Sequence, residues 1–371
     1  MKLRVERIHV HAVRLPLREP FVTALEREVD RPFLVVEAEA AGHSGFGEVA
    51  VSDTPYYYPE TRSTARVALG ELLVPRVLGR EFAALEELPA ALAPVRGWSL
   101  SKAGLEGALL DLWARLEGVP LWELLGGERQ AVECGTSIGL RDSVEELVER
   151  ACAAAQRGAR RIKLKIAPGR DVQLLRAVRA ALPELPLAVD GNEGYGADDL
   201  DALVALDEHA PCFLEQPFAA DEWELPRLLV ERSRTPHCMD DALHGWGELE
   251  HAHALGLLGV LNVKAPRMGG ALIGRRAAAW ASERGVGAFC GGLLDSGIGK
   301  LHALALSTCR GFGLPTDATP SSHHYAQDLV YPPIEMPDGV WRAPAEPGLG
   351  AEVDVERLRS SGSQCWKAEG V

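Results

Sequence analysis

The 371-residue chain has 39 Lys plus Arg against 53 Asp plus Glu, a formal net charge of −14 that argues against nucleic acid or an anionic membrane surface as its partner. It has no run of about 18 apolar residues and no basic segment leading into an apolar one, which argues against membrane spanning and secretion. The seven scattered cysteines form no zinc-type or redox pair and read as free thiols in a reducing cytoplasm.

Residues 1–127 open with strand-like alternation over Arg4–Val13 and Phe33–Ala40 around a glycine-rich turn at Gly42–Gly47. Helical segments follow around 60–79, 83–94 and 101–125, the last with Leu105, Leu109, Leu112 and Leu116 at amphipathic spacing. Strands first and helices afterwards predict an α+β domain. From 128 to 319 the pattern becomes a regular alternation. Apolar strand candidates lie near 132–139, 161–166, 185–190, 212–216, 236–240, 259–264, 286–290 and 312–316, with helix candidates between them from Val144–Arg157 to Gly299–Cys309. Such repetition pairs strands in parallel, and eight units close a (β/α) barrel, a size of about 250 residues that the chain can accommodate beside a smaller domain. No good helix follows the last strand, because Pro320-Ser-Ser-His-His324 and the proline-rich stretch 332–348 interrupt the pattern. Residues 320–371 are therefore expected to return to the first domain.

Arginine outnumbers lysine 32 to 7, yet Lys163, Lys165 and Lys264 sit inside apolar strand candidates. Lysine can give up and regain a proton where arginine cannot. Asp190, Glu215 and Asp240 each close an apolar run at intervals of 25 residues, Lys165 lies 25 before Asp190, and Lys264 lies 24 after Asp240. A strand, a helix and two short loops fill such a repeat, so the five residues take equivalent places in successive units, at the strand ends where barrel catalysis gathers. Three converging carboxylates repel unless a cation joins them, and all-oxygen ligands favour Mg²⁺ or Mn²⁺. Lys163 and Lys165 share one face of their strand, while Lys264, four strands round, faces Lys165. This arrangement suits removal of a proton α to a carboxylate, with burial and neighbouring positive charge expected to lower a lysine's pKa toward about 7–8.

Lys163-Leu-Lys165, Asp190-Gly-Asn192, Glu215-Gln-Pro217, Asp240-Asp241, Asn262-Val-Lys264 with Arg267-Met-Gly-Gly270, and Gly291–Gly299 containing Asp295 together resemble the muconate-lactonizing subgroup of the enolase superfamily. The fold this implies is a modified TIM barrel, (β/α)7β, with an N-terminal capping domain. The closer likeness, carried by Leu125–Glu133, Arg161–Gly169, Pro315-Thr-Asp317 and Tyr325, is to o-succinylbenzoate synthases and N-succinylamino acid (N-acylamino acid) racemases. That resemblance implies metal ligation by Asp190, Glu215 and Asp240 and a catalytic pair of Lys165 and Lys264. Lys163, Asn192, Asp241, Arg267 and Asp295 would support them, the substrate would be a small carboxylate, and the chain would form a homo-oligomer. Either syn dehydration of a succinylated hydroxycyclohexadiene carboxylate in menaquinone synthesis, or two-base racemisation, would use this set, and cycloisomerisation stays open. A metal-binding barrel without catalysis would have lost a ligand or a lysine, and none is lost. Departures from the pattern are Glu193 where relatives carry a small residue, Asp295 for Glu, a loosely matching loop at Phe21–Ala24, and His323-His324 before Tyr325. The histidines read as loop residues, Tyr56–Tyr58 as packing between domains, and Cys238 and Cys290 as small buried groups.

Overall fold

The computed structural model describes residues 2–24, 27–141, 143–360 and 363–367. Its N-terminal part is a four-stranded antiparallel sheet in the order Ser363–Lys367, Arg7–Val22, Arg27–Ala40, His43–Val49. The long helix Ser99–Glu117 lies directly on this sheet. A Cβ on Gly45 would come within 2.1 Å of the Leu112 nitrogen, and one on Gly47 within 2.1 Å of the Gly104 carbonyl, so only glycine permits this approach. The helix is buried almost all round from Leu100 to Ala114 rather than on one face, because barrel elements cover its other side. Fully buried Glu106 accepts the Leu272 N–H at 3.0 Å across that junction. The expected segment 101–125 is two helices, broken by Gly118 at φ 70° before Leu121–Leu124. The segment 60–79 passes from helix Arg62–Val67 through a wider π turn, Ala68–Leu73, to a tighter 3-10 turn, Val74–Arg76, and 83–94 supplies only Glu87–Leu92.

Seven parallel strands follow in unbroken order: Thr136–Ile138, Ile162–Lys165, Leu187–Asp190, Leu214–Glu215, His237–Met239, Val260–Val263 and Gly287–Cys290. The eighth candidate, 312–316, forms no strand. It joins the two sheet edges through single parallel bridges, Ala288 to Phe312 and Cys134 to Thr316, because Pro315 has no N–H for a ladder. The first candidate also divides at Gly135: Ala131–Glu133 pairs antiparallel with Val340–Arg342, and only Thr136–Ile138 enters the barrel. Helices between the strands lie within a few residues of expectation, except 198–209, which is helix Leu200–Ala205 between two 3-10 turns. No helix among the described residues is long and apolar enough to cross a membrane.

Register converts the sequence period into geometry. Lys165 pairs with Asp190, Asp190 with Glu215, and Glu215 with Cys238, one cross-strand row in which partners point to the same side of the sheet. Asp240 and Lys264 each follow the last residue of their strands, Met239 and Val263.

Candidate active site

Lys163, Lys165, Asp190, Asn192, Glu215 and Lys264 line one cavity of about 100 Å³ at the strand ends, roofed by Phe21, Thr23, Arg31 and Tyr57 from the N-terminal part. Ammonium groups stand between the carboxylates. Lys163 Nζ donates to Glu215 Oε1 and Oε2 at 2.8 and 3.0 Å and to Asp317 Oδ2 at 2.7 Å. Lys165 Nζ donates to Asp190 Oδ2 at 2.6 Å, and Lys264 Nζ donates to Asp240 Oδ2 at 2.6 Å and to the Tyr57 hydroxyl at 2.9 Å. Arg267 is fully buried. Its Nη1 donates to Asp240 Oδ1, and its Nε and Nη2 bind the Leu243 and Asn262 carbonyls at 2.7 and 2.9 Å.

Burial works against charge on Lys163, Asp190, Glu215, Asp240, Lys264 and Arg267, and the balance differs by position. At Asp190, Lys165 and Lys163 overcome burial and hold the carboxyl below its ordinary range; at Asp240, Lys264 and Arg267 do the same. Glu215 goes the other way: burial, joined by Asp190, Asp240 and Asp317, pushes it well above the usual carboxylate range against the pull of Lys163. Lys264 departs from the sequence expectation of a lowered pKa. Burial and Arg267 do press it down, but Asp240, Asp241 and Tyr58 outweigh them and hold it well above its ordinary value.

The supporting residues divide. The Asn192 N–H donates to Asp190 Oδ1 at 3.0 Å from a left-handed turn at φ 41°. Asp241 is held by the Tyr57 hydroxyl at 3.0 Å and the Tyr58 hydroxyl at 3.1 Å, and lies 3.6 Å from Lys264. Asp295 is not among the lysines and carboxylates; its Oδ2 accepts the Leu293 N–H at 2.9 Å, and it lines a smaller side pocket. Glu193 takes a left-handed conformation at φ 61° and accepts the Ala220 N–H at 3.1 Å, outside the cavity lining. His324 lines the cavity, edge-on to Phe21 with ring centroids 6.2 Å apart, whereas His323 lines an outer groove.

Sequence reasoning missed several members. Tyr57 and Tyr58, read as packing, put their hydroxyls on Asp241 and Lys264. Asp317 bridges Lys163 and Arg161, whose guanidinium lies 4.3 Å from the Phe289 ring centroid. Asn262 Nδ2 donates to Glu215 Oε1 at 3.0 Å. The strand-end rule could have found Asp317, and same-face spacing from Lys264 could have found Asn262; no local pattern marks the tyrosines.

The donor set fits a divalent cation. It consists of oxygen ligands, the crowding of Glu215 by Asp190, Asp240 and Asp317 is of the kind a cation relieves, and Asn192 Oδ1 and Asn262 Oδ1 are buried without a partner among the described residues. The three carboxylates are interleaved with lysines and do not close into a tight ligand group. Among the described residues the group whose ligand atoms all lie within 4.8 Å of one another is His9, Glu37 and Glu39 on the N-terminal sheet. Arg7 and Arg359 already pair with those two glutamates.

Comparison with known proteins agrees with the fold. Residues 5–126 match the mandelate racemase / muconate lactonizing enzyme N-terminal domain, and residues 146–358 match the enolase C-terminal domain-like family. The chain therefore belongs to the mandelate racemase / muconate lactonizing enzyme family, within the enolase superfamily. It is 37% identical over 359 residues to an o-succinylbenzoate synthase of Geobacillus kaustophilus, covering 96% of each chain. It is 39% identical to an N-succinylamino acid racemase of Thermus thermophilus, covering 96% of this chain and 97% of that one. A crystal structure of an enolase-superfamily protein from Listeria innocua superimposes with a TM-score of 0.94 at 29% identity, covering 98% of this chain and 99% of the other. Proteins of this superfamily generally bind a divalent metal.

Proposed function

We propose that this enzyme is a Mg²⁺-dependent o-succinylbenzoate synthase, acting by syn dehydration of a succinylated hydroxycyclohexadiene carboxylate in menaquinone synthesis. The observation that carries the reading is the placing of Lys165 and Lys264 in one cavity, at the ends of the second and sixth strands, with Asp190, Glu215 and Asp240 at the strand ends between them. Supporting it are full-length relatives named o-succinylbenzoate synthase at 37% identity in Geobacillus kaustophilus and 34% in Bacillus subtilis.

Asp190, Glu215 and Asp240 would hold the cation, which when bound supplies positive charge against the substrate carboxylate. Lys165, as the free amine, takes the proton α to that carboxylate. The hydroxyl on the same face then leaves with a proton returned by the Lys165 ammonium, so water departs and the ring becomes aromatic. Lys264, held on the other face as an ammonium, stabilises the negative charge that builds up between the two steps. Arg267 and Tyr57 keep it in place.

A second reading, N-succinylamino acid racemisation, is favoured by the 39% identity to the Thermus thermophilus racemase and by the presence of a lysine on each side. It needs the same residues, with Lys264 also exchanging a proton. Turnover of the hydroxycyclohexadiene carboxylate, followed by its ultraviolet absorbance change with Mg²⁺ and with Lys165→Ala as the blank, tests the first reading. Rapid loss of signal that the substitution abolishes is the expected result. No turnover by folded, metal-loaded protein would overturn it, and α-proton exchange of N-succinylamino acids in D₂O would then decide for the racemase.

A further inference from the structure

Four of the seven lysines are buried: Lys163, Lys165, Lys264 and Lys300. The first three hold carboxylates, and Lys300 does not. Its Nζ makes one hydrogen bond among the described residues, to the Pro320 carbonyl at 3.3 Å, and lies 5.7 Å from the Tyr325 ring centroid. Lys300 occupies the fourth position of helix Gly297–Ser307, where the helix dipole disfavours a cation, and burial draws its pKa down against the more distant acids. A buried ammonium with unused N–H groups is costly to maintain, so an anion arriving beside it would be bound well.

The position of Lys300 indicates where that anion comes from. Lys300 lines a side pocket of about 20 Å³ that shares Gly292, Leu294, Asp317, Thr319 and His324 with the catalytic cavity. That volume accommodates roughly one water-sized polar group, not a whole substituent. Burial and Lys300 hold His324 well below its ordinary value, leaving a neutral imidazole able to donate an N–H. The acids on this side are engaged: Asp328, the one that acts most on Lys300, accepts the Gly297 and Leu329 N–H groups, Asp317 is held by Lys163 and Arg161, Asp295 accepts from Leu293, and burial and Asp295 push Glu48 up to about 8 and so keep it largely protonated near neutrality.

We propose that Lys300 is the receptor for a second substrate carboxylate, the free one at the far end of the succinyl group, inserted through the side pocket while the first is held at the metal-binding carboxylates. This inference rests on the synthase or racemase reading and adds the reason for a dicarboxylate preference. Lys300 then acts in binding, while Lys165 and Lys264 handle the proton.

The test compares the succinylated hydroxycyclohexadiene carboxylate with an analogue whose distal carboxylate is a carboxamide, both with Mg²⁺. Wild-type enzyme should favour the carboxylate by about 10- to 100-fold in kcat/KM, chiefly through KM. Lys300→Met should bring that ratio to within about threefold of unity, and Lys300→Arg should keep most of it. A ratio retained in Lys300→Met overturns the proposal. Wild-type enzyme using both substrates equally well overturns it without any variant, whether or not Lys300→Met folds. Wild-type enzyme turning over neither overturns the synthase reading itself.

Discussion

The second and sixth barrel strands present lysines with the same first contact and different company. Lys165 and Lys264 each lie 2.6 Å from a carboxylate oxygen, of Asp190 and Asp240 respectively. Among the described residues Lys165 has that hydrogen bond alone. Lys264 also holds the Tyr57 hydroxyl, lies 3.6 Å from Asp241, and shares Asp240 with the buried Arg267. An ammonium tethered at one point can swing between its carboxylate and a substrate, whereas one held from three sides is fixed in place and kept charged. The asymmetry fits the proposed reaction, with proton transfer by Lys165 and charge stabilisation by Lys264, although sequence spacing treats the two alike.

The largest way to break this comparison is to remove Lys165, the proton carrier of the proposed reaction. Lys165→Ala should lower kcat by about 10³–10⁴-fold with a small change in KM, read from steady-state kinetics on the dehydration substrate. If the enzyme racemises as well, Lys264→Ala should leave α-proton exchange in D₂O from one enantiomer of an N-succinylamino acid and abolish it from the other. Next in size is the anchor of the fixed side. Asp240→Asn leaves Lys264 and Arg267 buried without their shared anion, and should cost about 3–5 kcal/mol in denaturant unfolding and weaken divalent-cation binding in a titration. Tyr57→Phe is gentler: losing a hydroxyl that touches Lys264 and Asp241 should reduce kcat by about 3- to 20-fold while the fold stays intact.

The smallest effect concerns Glu48, which joins the N-terminal sheet to the barrel by accepting the Ser296 N–H at 3.1 Å. Burial and Asp295 raise it from 4.5 to about 8, so the fold favours its protonated form. Its contribution to stability is fully present below the unfolded value and is lost as pH rises toward about 8. Glu48→Gln should remove that part of the decline, read as a flatter thermal midpoint between pH 4.5 and 8.

The barrel was legible in the sequence because its chemistry repeats at the strand–helix period and each repeat needs only local order. The same regularity hid the exceptions. Residues 312–316 look like one more apolar run, yet Pro315 reduces them to two bridges. What could not be read is what crosses from one domain to the other. Tyr57 meets Lys264 across 207 residues and Glu48 meets Ser296 across 248, and no spacing rule reaches so far. The lysine tuning was misjudged for a related reason: burial was foreseen, but the three groups that overcome it, Asp240, Asp241 and Tyr58, act together only in the assembled site.

The strand Ser363–Lys367 has a consequence for how the molecule is made. It pairs with Arg7–Val22, so that strand waits for residues made far later in the chain before this edge is covered. Until then a row of backbone N–H and C=O groups stays open to pairing with other chains. Translation stalled near residue 360 would yield a barrel with its lysines and strand-end carboxylates in place and a sticky sheet edge, and its fate would be decided by aggregation rather than by chemistry.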